Sequence, residues 1–103
     1  MNKLEKVSVR KEANVYYEGK VSSRVIFEEN GDRKTLGLVL PGTYEFSAED
    51  KEILEILEGV CTITYDGHEN RYEKGDVFSI PANTTFLFGA EEITDYCCSY
   101  VKE

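Results

Sequence analysis

Short apolar runs, rich in β-branched and aromatic residues, alternate with turn-forming residues along almost the whole chain. Runs of this kind, bounded by Gly, Pro, Asn and Asp, are typical of the strands of a sandwich or barrel. The pattern therefore predicts an all-β fold in which successive side chains of each strand point to an inner and an outer face.

Two dipeptides that favour a positive φ predict two tight β-hairpins. Asn30-Gly31 separates Val25–Glu29 from Lys34–Leu40, and Asp66-Gly67 separates Cys61–Tyr65 from Glu69–Tyr72. Further turns are predicted at Pro41-Gly42 and at residues 73–76 and 81–83. Residues 1–13 form a predicted N-terminal extension, and residues 14–103 form the domain. Within the extension, Val7 and Val9 alternate with polar residues, which makes it a candidate for an extra edge strand.

Residues 47–57 fit two structures. Ser47 followed by Glu49 and Asp50 resembles a helix N-terminus, and the apolar residues after them fit a helical stripe as well as a buried strand. The stop at Gly59 favours a strand beginning near Glu52, because a helix of about two turns is short for this apolar content. In that strand, Glu52, Leu54 and Ile56 share the inner face, where an unpaired carboxylate is costly.

Length and charge narrow the possible functions. The 103 residues suffice for one domain with one core. A net charge of −8 opposes binding to nucleic acid, whose phosphates repel an acidic surface. No run approaches the roughly 18 apolar residues of a membrane-spanning helix, and the charged N-terminus does not resemble a signal peptide. We therefore expect a cytoplasmic protein without membrane or nucleic-acid partners.

The three cysteines, Cys61, Cys97 and Cys98, form no Cys-x-x-Cys pair. A disulfide between the neighbouring Cys97 and Cys98 would be strained, since their side chains point to opposite faces of a strand. We expect all three to be reduced packing residues rather than a redox switch.

Several positions have the spacing of the two motifs of small cupins. Glu52 precedes Gly59 by seven residues, and Gly75 precedes Pro81 by six. Where cupins usually carry metal-binding histidines, the chain has Phe46, Ala48 and Phe86. The chain thus resembles a single-domain cupin-type β-barrel, a double-stranded β-helix or jelly roll, that keeps one inward carboxylate in a pocket of rings.

Four segments extend this likeness to a particular family. They are Asn14–Ser23, Thr35–Phe46, Phe78–Phe86 and Tyr96–Tyr100. Together they resemble the bacterial pyrimidine/purine nucleoside phosphorylase family of small cupins, over about residues 14–101. The resemblance implies a homodimer that cleaves purine and pyrimidine nucleosides with inorganic phosphate, giving free base and pentose 1-phosphate, without a metal or other cofactor.

Phosphorolysis requires a site that stacks the base, holds the sugar and stabilises positive charge on the anomeric carbon. Glu52 is the predicted catalytic residue, because a carboxylate accepts hydrogen bonds from sugar hydroxyls and favours that charge. A surface glutamate on a helix turn or at a strand end is the alternative interpretation. The predicted substrate-binding residues are Tyr44, Phe46, Phe78, Phe86, Phe88, Thr84 and Tyr96. For each phenylalanine, filling of the barrel core is the competing interpretation.

Phosphate requires hydrogen-bond donors, and Arg24 and Ser47 are the predicted phosphate-binding residues. The other cationic candidates are Lys20, Arg71 and Lys74, and Tyr100 offers a further hydroxyl. An arginine in a strand is, alternatively, a solvated surface charge. The single histidine, His68, follows the Asp66-Gly67 turn and is expected to be exposed, so no metal site is predicted.

Two other classes of function fit the same sequence. One is a non-catalytic cupin that binds a small sugar or nucleotide, because a fold does not determine an activity. The other is a structural dimer module whose acidic face recruits a partner. It would have a large exposed apolar patch beyond the dimer contact and an inner cavity too small for a nucleoside.

Overall fold

The computed structural model describes residues 3–102, in which eleven strands and one 3₁₀ turn, Tyr17–Gly19, are present and no α-helix occurs. The strands are β1 (Ser8–Val9), β2 (Asn14–Tyr16), β3 (Val21–Phe27), β4 (Arg33–Val39), β5 (Gly42–Ala48), β6 (Lys51–Glu58), β7 (Val60–Tyr65), β8 (His68–Glu73), β9 (Val77–Ile80), β10 (Thr84–Ala90) and β11 (Thr94–Val101). Met1, Asn2 and Glu103, which the predicted extension and domain include, lie outside the described residues.

The strands form two antiparallel sheets. The larger sheet has the order β3–β4–β11–β6–β9, and β1 and β2 both pair with the remaining edge of β3. The smaller sheet has the order β5–β10–β7–β8. Their inner faces share one apolar core, as in a jelly-roll sandwich, and hydrogen bonds do not close the two sheets into a continuous barrel. The prediction of an all-β, cupin-type jelly roll is confirmed in this two-sheet form.

The core follows the predicted alternation of side chains. In β4, Thr35, Gly37 and Val39 are buried while Leu36 and Leu38 are exposed. The core contains inward residues of both sheets, among them Val21, Val39, Leu54, Ile56, Cys61, Ile63, Ile80, Phe86, Phe88 and Tyr96. Burial of this apolar surface is the main stabilising contribution, because a strand pair exposed to water is only marginally stable.

The Asp66-Gly67 hairpin is confirmed as a tight turn. Asp66 and Gly67 have φ values of 49° and 75°, and Tyr65 pairs directly with His68. These values are those that a two-residue turn requires, which Gly adopts without strain. His68 is exposed, as predicted.

The hairpin at Asn30-Gly31 is confirmed, but its predicted tight turn is wrong. Its strands end at Phe27 and begin again at Arg33, and only Gly31 of the dipeptide has a positive φ, of 90°. The Asn30 side chain explains the longer loop, because its Oδ1 atom accepts a hydrogen bond from the Asp32 N–H at 2.9 Å. The Glu28 N–H then donates to the Asp32 oxygen at 2.9 Å and closes the loop.

The ambiguous segment is a strand, so the helical alternative is wrong. Within β6, Leu54 and Ile56 are buried, Glu52 is half-buried on the same face, and Ile53 and Glu55 are exposed. In the segment before Asn14, Ser8 and Val9 pair with Phe27 and Ile26 at the edge of the larger sheet.

All three cysteines are free and buried. Burial raises the pKa of the Cys61 thiol to about 12 and raises the pKa values of the other two thiols, so the reactive thiolate is disfavoured at each position. These observations favour the packing interpretation over a redox switch.

Over residues 3–102, none of the structure's helical segments has the length and apolarity needed to cross a membrane.

Candidate active site

A cavity of about 440 Å³ lies between β3, β6 and β11 of the larger sheet and β5 of the smaller sheet. Tyr16 and Tyr17, just before β3, form a further wall. Most of the lining is aromatic, apolar or hydroxylic: Tyr16, Tyr17, Val21, Ser23, Glu45, Phe46, Ser47, Glu52, Leu54, Tyr96, Cys98 and Tyr100. The volume lies within the range of small-molecule sites, roughly 300–1,000 Å³.

A second cavity of about 290 Å³ adjoins the first and is more polar. The two share Tyr16, Ser23, Ser47, Glu52 and Tyr100. Asn14, Val25, Arg33, Thr35, Glu49 and Asp50 complete the lining of the second. Glu52 therefore lies on the boundary between a space walled by rings and a space walled by polar groups.

The pairing of β6 explains the position of Glu52. Glu52 pairs with Tyr100 of β11 on one side and with Ile80 of β9 on the other. Leu54 pairs with Cys98 in the same way, and both have inward side chains. Because β11 and β6 alternate in step, Glu52, Leu54, Cys98 and Tyr100 all point into the first cavity.

The carboxyl group of Glu52 is held in a partly desolvated position. Burial raises its pKa above the ordinary value of 4.5, and the nearby Asp50 carboxylate acts in the same direction. The neighbouring Cys98 thiol and the positive charge of Arg33 oppose this increase. The carboxylate thus retains two partners that stabilise its charged form in a site that disfavours charge.

Polar side chains of β4 and β11 lie close to Glu52 in the pocket. The Thr35 and Tyr100 hydroxyls are 3.1 Å apart, and the Cys98 thiol, which donates to the Ser99 oxygen at 3.9 Å, lines the same cavity as Glu52. Burial raises the pKa of Tyr100 and of Cys98, so both remain protonated donors. These groups surround Glu52 with hydroxyl and thiol donors on the walls of the first and second cavities.

The rings are arranged in two layers. Phe46 and Tyr96 line the first cavity, and Phe86 and Phe88 lie behind them in the core. The Phe46 ring is 5.6 Å from that of Phe86 and 5.4 Å from that of Phe88, and the rings of Phe88 and Tyr96 are 6.0 Å apart. The inner layer therefore fixes the two rings that a ligand would contact.

The structure brings together four of the predicted site residues: Glu52, Phe46, Ser47 and Tyr96 all line the first cavity. Six others lie outside both cavities, namely Tyr44, Phe78, Phe86, Phe88, Thr84 and Arg24. For Phe86 and Phe88, this placement favours the core-filling interpretation.

Packing accounts for three of the displaced residues. The Tyr44 hydroxyl donates to the Leu40 oxygen at 2.9 Å, which fixes it in the turn before β5. The Phe78 ring stacks on that of Tyr72, with centroids 4.0 Å apart. The Thr84 hydroxyl donates to the Ala82 oxygen at 3.3 Å, within the preceding turn.

Arg24, a predicted phosphate-binding residue, lies away from both cavities. It lies between the inward residues Ser23 and Val25, so its side chain is on the outer face and exposed. There its guanidinium donates to the Lys11 oxygen at 2.6 Å. Arg71 lies on the other sheet, where it contacts Glu91 at 3.0 Å.

Sequence reasoning missed Arg33, Cys98, Ser23, Tyr16 and Tyr17. Arg33 has the same parity as Thr35, Gly37 and Val39, so the alternation within β4 was a usable signal for an inward cation. Tyr16 and Tyr17 gave no such signal, because their place depends on how a short exposed segment folds over β3.

In residues 3–102, His, Cys, Asp and Glu side chains form no group of three suited to a metal ion.

The fold and the site define a small cupin-type jelly roll with a half-buried carboxylate in an aromatic pocket. The chain belongs to the pyrimidine/purine nucleoside phosphorylase family, whose model matches residues 11–100. A relative from Clostridioides difficile strain 630 named pyrimidine/purine nucleoside phosphorylase is 45% identical, and the alignment covers 100% of both chains. A relative of the same name from Hydrogenovibrio crunogenus is 46% identical over 98% of this chain and 99% of its own.

Solved structures share this fold. A protein of unknown function (DUF1255) from Acinetobacter sp. ADP1 superposes with a TM-score of 0.94 at 30% identity, over 98% of this chain and 100% of its own. A putative ethanolamine utilization protein from Salmonella typhimurium superposes with a TM-score of 0.70 at 18% identity, over 78% of this chain and 68% of its own. The second likeness concerns the fold alone.

Proposed function

We propose that this chain is a nucleoside phosphorylase of broad specificity, which cleaves purine and pyrimidine nucleosides with inorganic phosphate to free base and pentose 1-phosphate. One observation carries the proposal: Glu52 lies on the boundary between an aromatic cavity and a polar cavity. Membership of the family and the relatives' name support the same reaction.

Glu52 is the group best placed to assist bond cleavage. As the bond from the sugar to the base lengthens, positive charge develops on the anomeric carbon and ring oxygen. A carboxylate fixed beside the sugar stabilises that charge without reorganising, and it also accepts hydrogen bonds from the hydroxyls. Cys98 and Tyr100 act as positioning residues, because both line the cavity from β11, the strand on which Tyr100 pairs directly with Glu52.

The aromatic cavity suits the base. Phe46, Tyr16, Tyr17 and Tyr96 present rings to it, and stacking on a ring does not depend on which base is bound. The volume of about 440 Å³ also argues against a purely structural module, which would lack a cavity of nucleoside size. Ser47 borders both cavities, but its hydroxyl lies on the exposed face of the smaller sheet, 3.3 Å from that of Thr85, so only its backbone stays a candidate for contacts with phosphate or sugar.

Release of base with and without phosphate tests the reaction. We expect the purified protein to release uracil from uridine and adenine from adenosine when phosphate is present, measured by chromatography. A protein that is thermally stabilised by nucleoside but releases no base would be a binding protein instead, and release indifferent to phosphate would indicate a hydrolase.

Phe46→Ala should weaken nucleoside binding while retaining the fold. Loss of one stacking ring typically costs about 1–3 kcal/mol, so KM for uridine and for adenosine is expected to rise by roughly tenfold or more. Leu87→Ala is a suitable control, because Leu87 is exposed on the outer face of the neighbouring strand, paired with Glu45. An equal change of KM in both variants would remove Phe46 from the base site.

Homodimerisation is a further part of the proposal. Leu36, Leu38, Ile53 and Val77 are exposed on the outer face of the larger sheet, and an apolar sheet face of this kind is suited to pairing with a second copy. Light scattering of the purified protein would determine whether its mass in solution is that of two chains.

Location in the cytoplasm stays a prediction from the sequence.

A further inference from the structure

A third cavity continues the two that Glu52 borders. It has a volume of about 780 Å³ and is lined by Phe27, Gly31, Asp32, Arg33, Asp50, Tyr100, Val101 and Lys102. Arg33 and Asp50 also line the second cavity, and Tyr100 lines all three. The three cavities therefore form one groove, with the rings at one end, Glu52 between, and Arg33 and Lys102 at the other end.

Arg33 presents an uncommitted guanidinium to this groove. Its guanidinium carbon lies 4.1 Å from the centre of the Tyr100 ring, a cation–π contact that holds the planar group without using its N–H donors. Across residues 3–102, Arg33 forms no ion pair within 4.0 Å, whereas Lys34, Arg71 and Lys74 each contact a glutamate. Its N–H groups are thus available to a ligand.

We infer that Arg33 binds inorganic phosphate at this end of the groove and directs it to the sugar held beside Glu52. This inference rests on the proposed function. The planar fork of arginine matches two oxygens of a phosphate, and Lys102 adds a second positive charge at the same end. Arg33 therefore takes the role that the sequence suggested for Arg24.

The order of groups along the groove fits the displacement. A phosphate oxygen forms a bond to the anomeric carbon while the bond from that carbon to the base nitrogen breaks. The electron pair of the broken bond leaves with the base. The hydrogen phosphate dianion loses one proton on forming the ester, and the base nitrogen gains one, so no further reactant is needed. Phosphate at Arg33 and base at the rings lie on opposite sides of Glu52, as this exchange requires.

The neighbouring carboxylates make a second, opposite test possible. Asp50 lines the second and third cavities beside Arg33, and its charge opposes that of a bound dianion. The structure thus places an attractive and a repulsive group at one site. Removing Arg33 should weaken phosphate binding, and removing the charge of Asp50 should strengthen it.

The experiment measures KM for phosphate at saturating uridine in Arg33→Gln and Asp50→Asn. We expect KM to rise about tenfold or more in Arg33→Gln and to fall severalfold in Asp50→Asn. Arg71→Gln is the matched control, because it removes an exposed arginine of the other sheet, and its phosphate KM should stay within about twofold. Thermal stabilisation by uridine alone should persist in Arg33→Gln, which shows that the fold and base end are intact.

Three outcomes separate this inference from the proposed function. An unchanged phosphate KM in Arg33→Gln overturns the assignment while the phosphorylase reaction stands. If the unaltered protein releases no base, the proposed function fails, and ³¹P NMR titration of inorganic phosphate still decides the assignment. Broadening of the phosphate signal by the unaltered protein but not by Arg33→Gln supports the site, and equal broadening by both overturns it.

Discussion

Replacing Glu52 with glutamine is expected to lower turnover by about a hundredfold or more, which is typical for the loss of one preorganised electrostatic partner. Glutamine keeps the shape and can still hydrogen-bond to the sugar, but it cannot offset the charge that develops on the anomeric carbon. The decrease should therefore appear mainly in kcat, with a smaller change in KM for the nucleoside.

The pH dependence of the same variant provides a second readout. Burial raises the pKa of Glu52 above 4.5. As pH falls, the active carboxylate should therefore become protonated at a higher pH than an exposed glutamate would. The acid limb of kcat/KM should lie above pH 4.5 in the unaltered protein and should be absent from the residual activity of Glu52→Gln.

Stability should change in the opposite direction to activity. Because the folded pKa of Glu52 exceeds the unfolded one, the folded state binds the proton more tightly, and stability falls as pH rises from 4.5 through the folded pKa. Glutamine removes this cost, so Tm should increase in Glu52→Gln above that window and change little below it. Glu55→Gln is the control, since Glu55 is exposed on the outer face of the same strand. Activity of Glu52→Gln within a few fold of the unaltered protein would show that another residue carries the chemistry.

Replacing Gly37 with alanine is expected to lower the free energy of unfolding by roughly 1–3 kcal/mol and to abolish most activity. Gly37 pairs with Tyr96 across β4 and β11, and the Tyr96 ring lies directly over it. A Cβ atom on Gly37 would be 2.5 Å from the Tyr96 hydroxyl oxygen and would overlap the ring. The ring must then move, and Tyr96 lines the proposed base site.

Gly89→Ala provides the matched control for that substitution. Gly89 is also inside a strand and lacks a positive φ, but a Cβ atom there would meet its nearest neighbour, the Thr43 hydroxyl oxygen, at 3.4 Å. Chemical denaturation and uridine turnover should show little change in Gly89→Ala and a clear loss in Gly37→Ala. Equal stability of the two variants would mean that the Tyr96 ring can shift without cost.

Local signals in the sequence were sufficient for the strands and most of the turns. The Asp66-Gly67 turn follows from the backbone preferences of two residues, and the inward face of β6 follows from a period of two. The turn at Asn30 was mispredicted because its side chain bonds with Asp32, a competition between two local structures that residue preference alone does not rank.

The site was less predictable, because it depends on how far each inward side chain lies from the cavity and on pairing between strands distant in the sequence. Phe46, Phe86 and Phe88 all point inward, yet only Phe46 reaches the cavity, since the other two lie nearer the middle of the sandwich. The sequence shows that Arg24 and Arg33 occupy alternate faces of neighbouring strands. It does not show the register of β4, β11 and β6, and this register is what brings Arg33 to Tyr100 and Glu52.

The wall formed by Tyr16 and Tyr17 belongs to a short segment outside the jelly-roll strands that carry Glu52 and Arg33. Tyr17 is anchored by its hydroxyl, which donates to the Glu45 oxygen, and by its ring, 5.2 Å from that of Tyr44. This wall is therefore supplied by a segment separate from the strands of Glu52 and Arg33, and its residues Asn14 and Tyr16 also border the polar cavity. Exchanging residues 14–19 between relatives should consequently alter the affinity for nucleoside and for phosphate together, since this one segment borders both cavities.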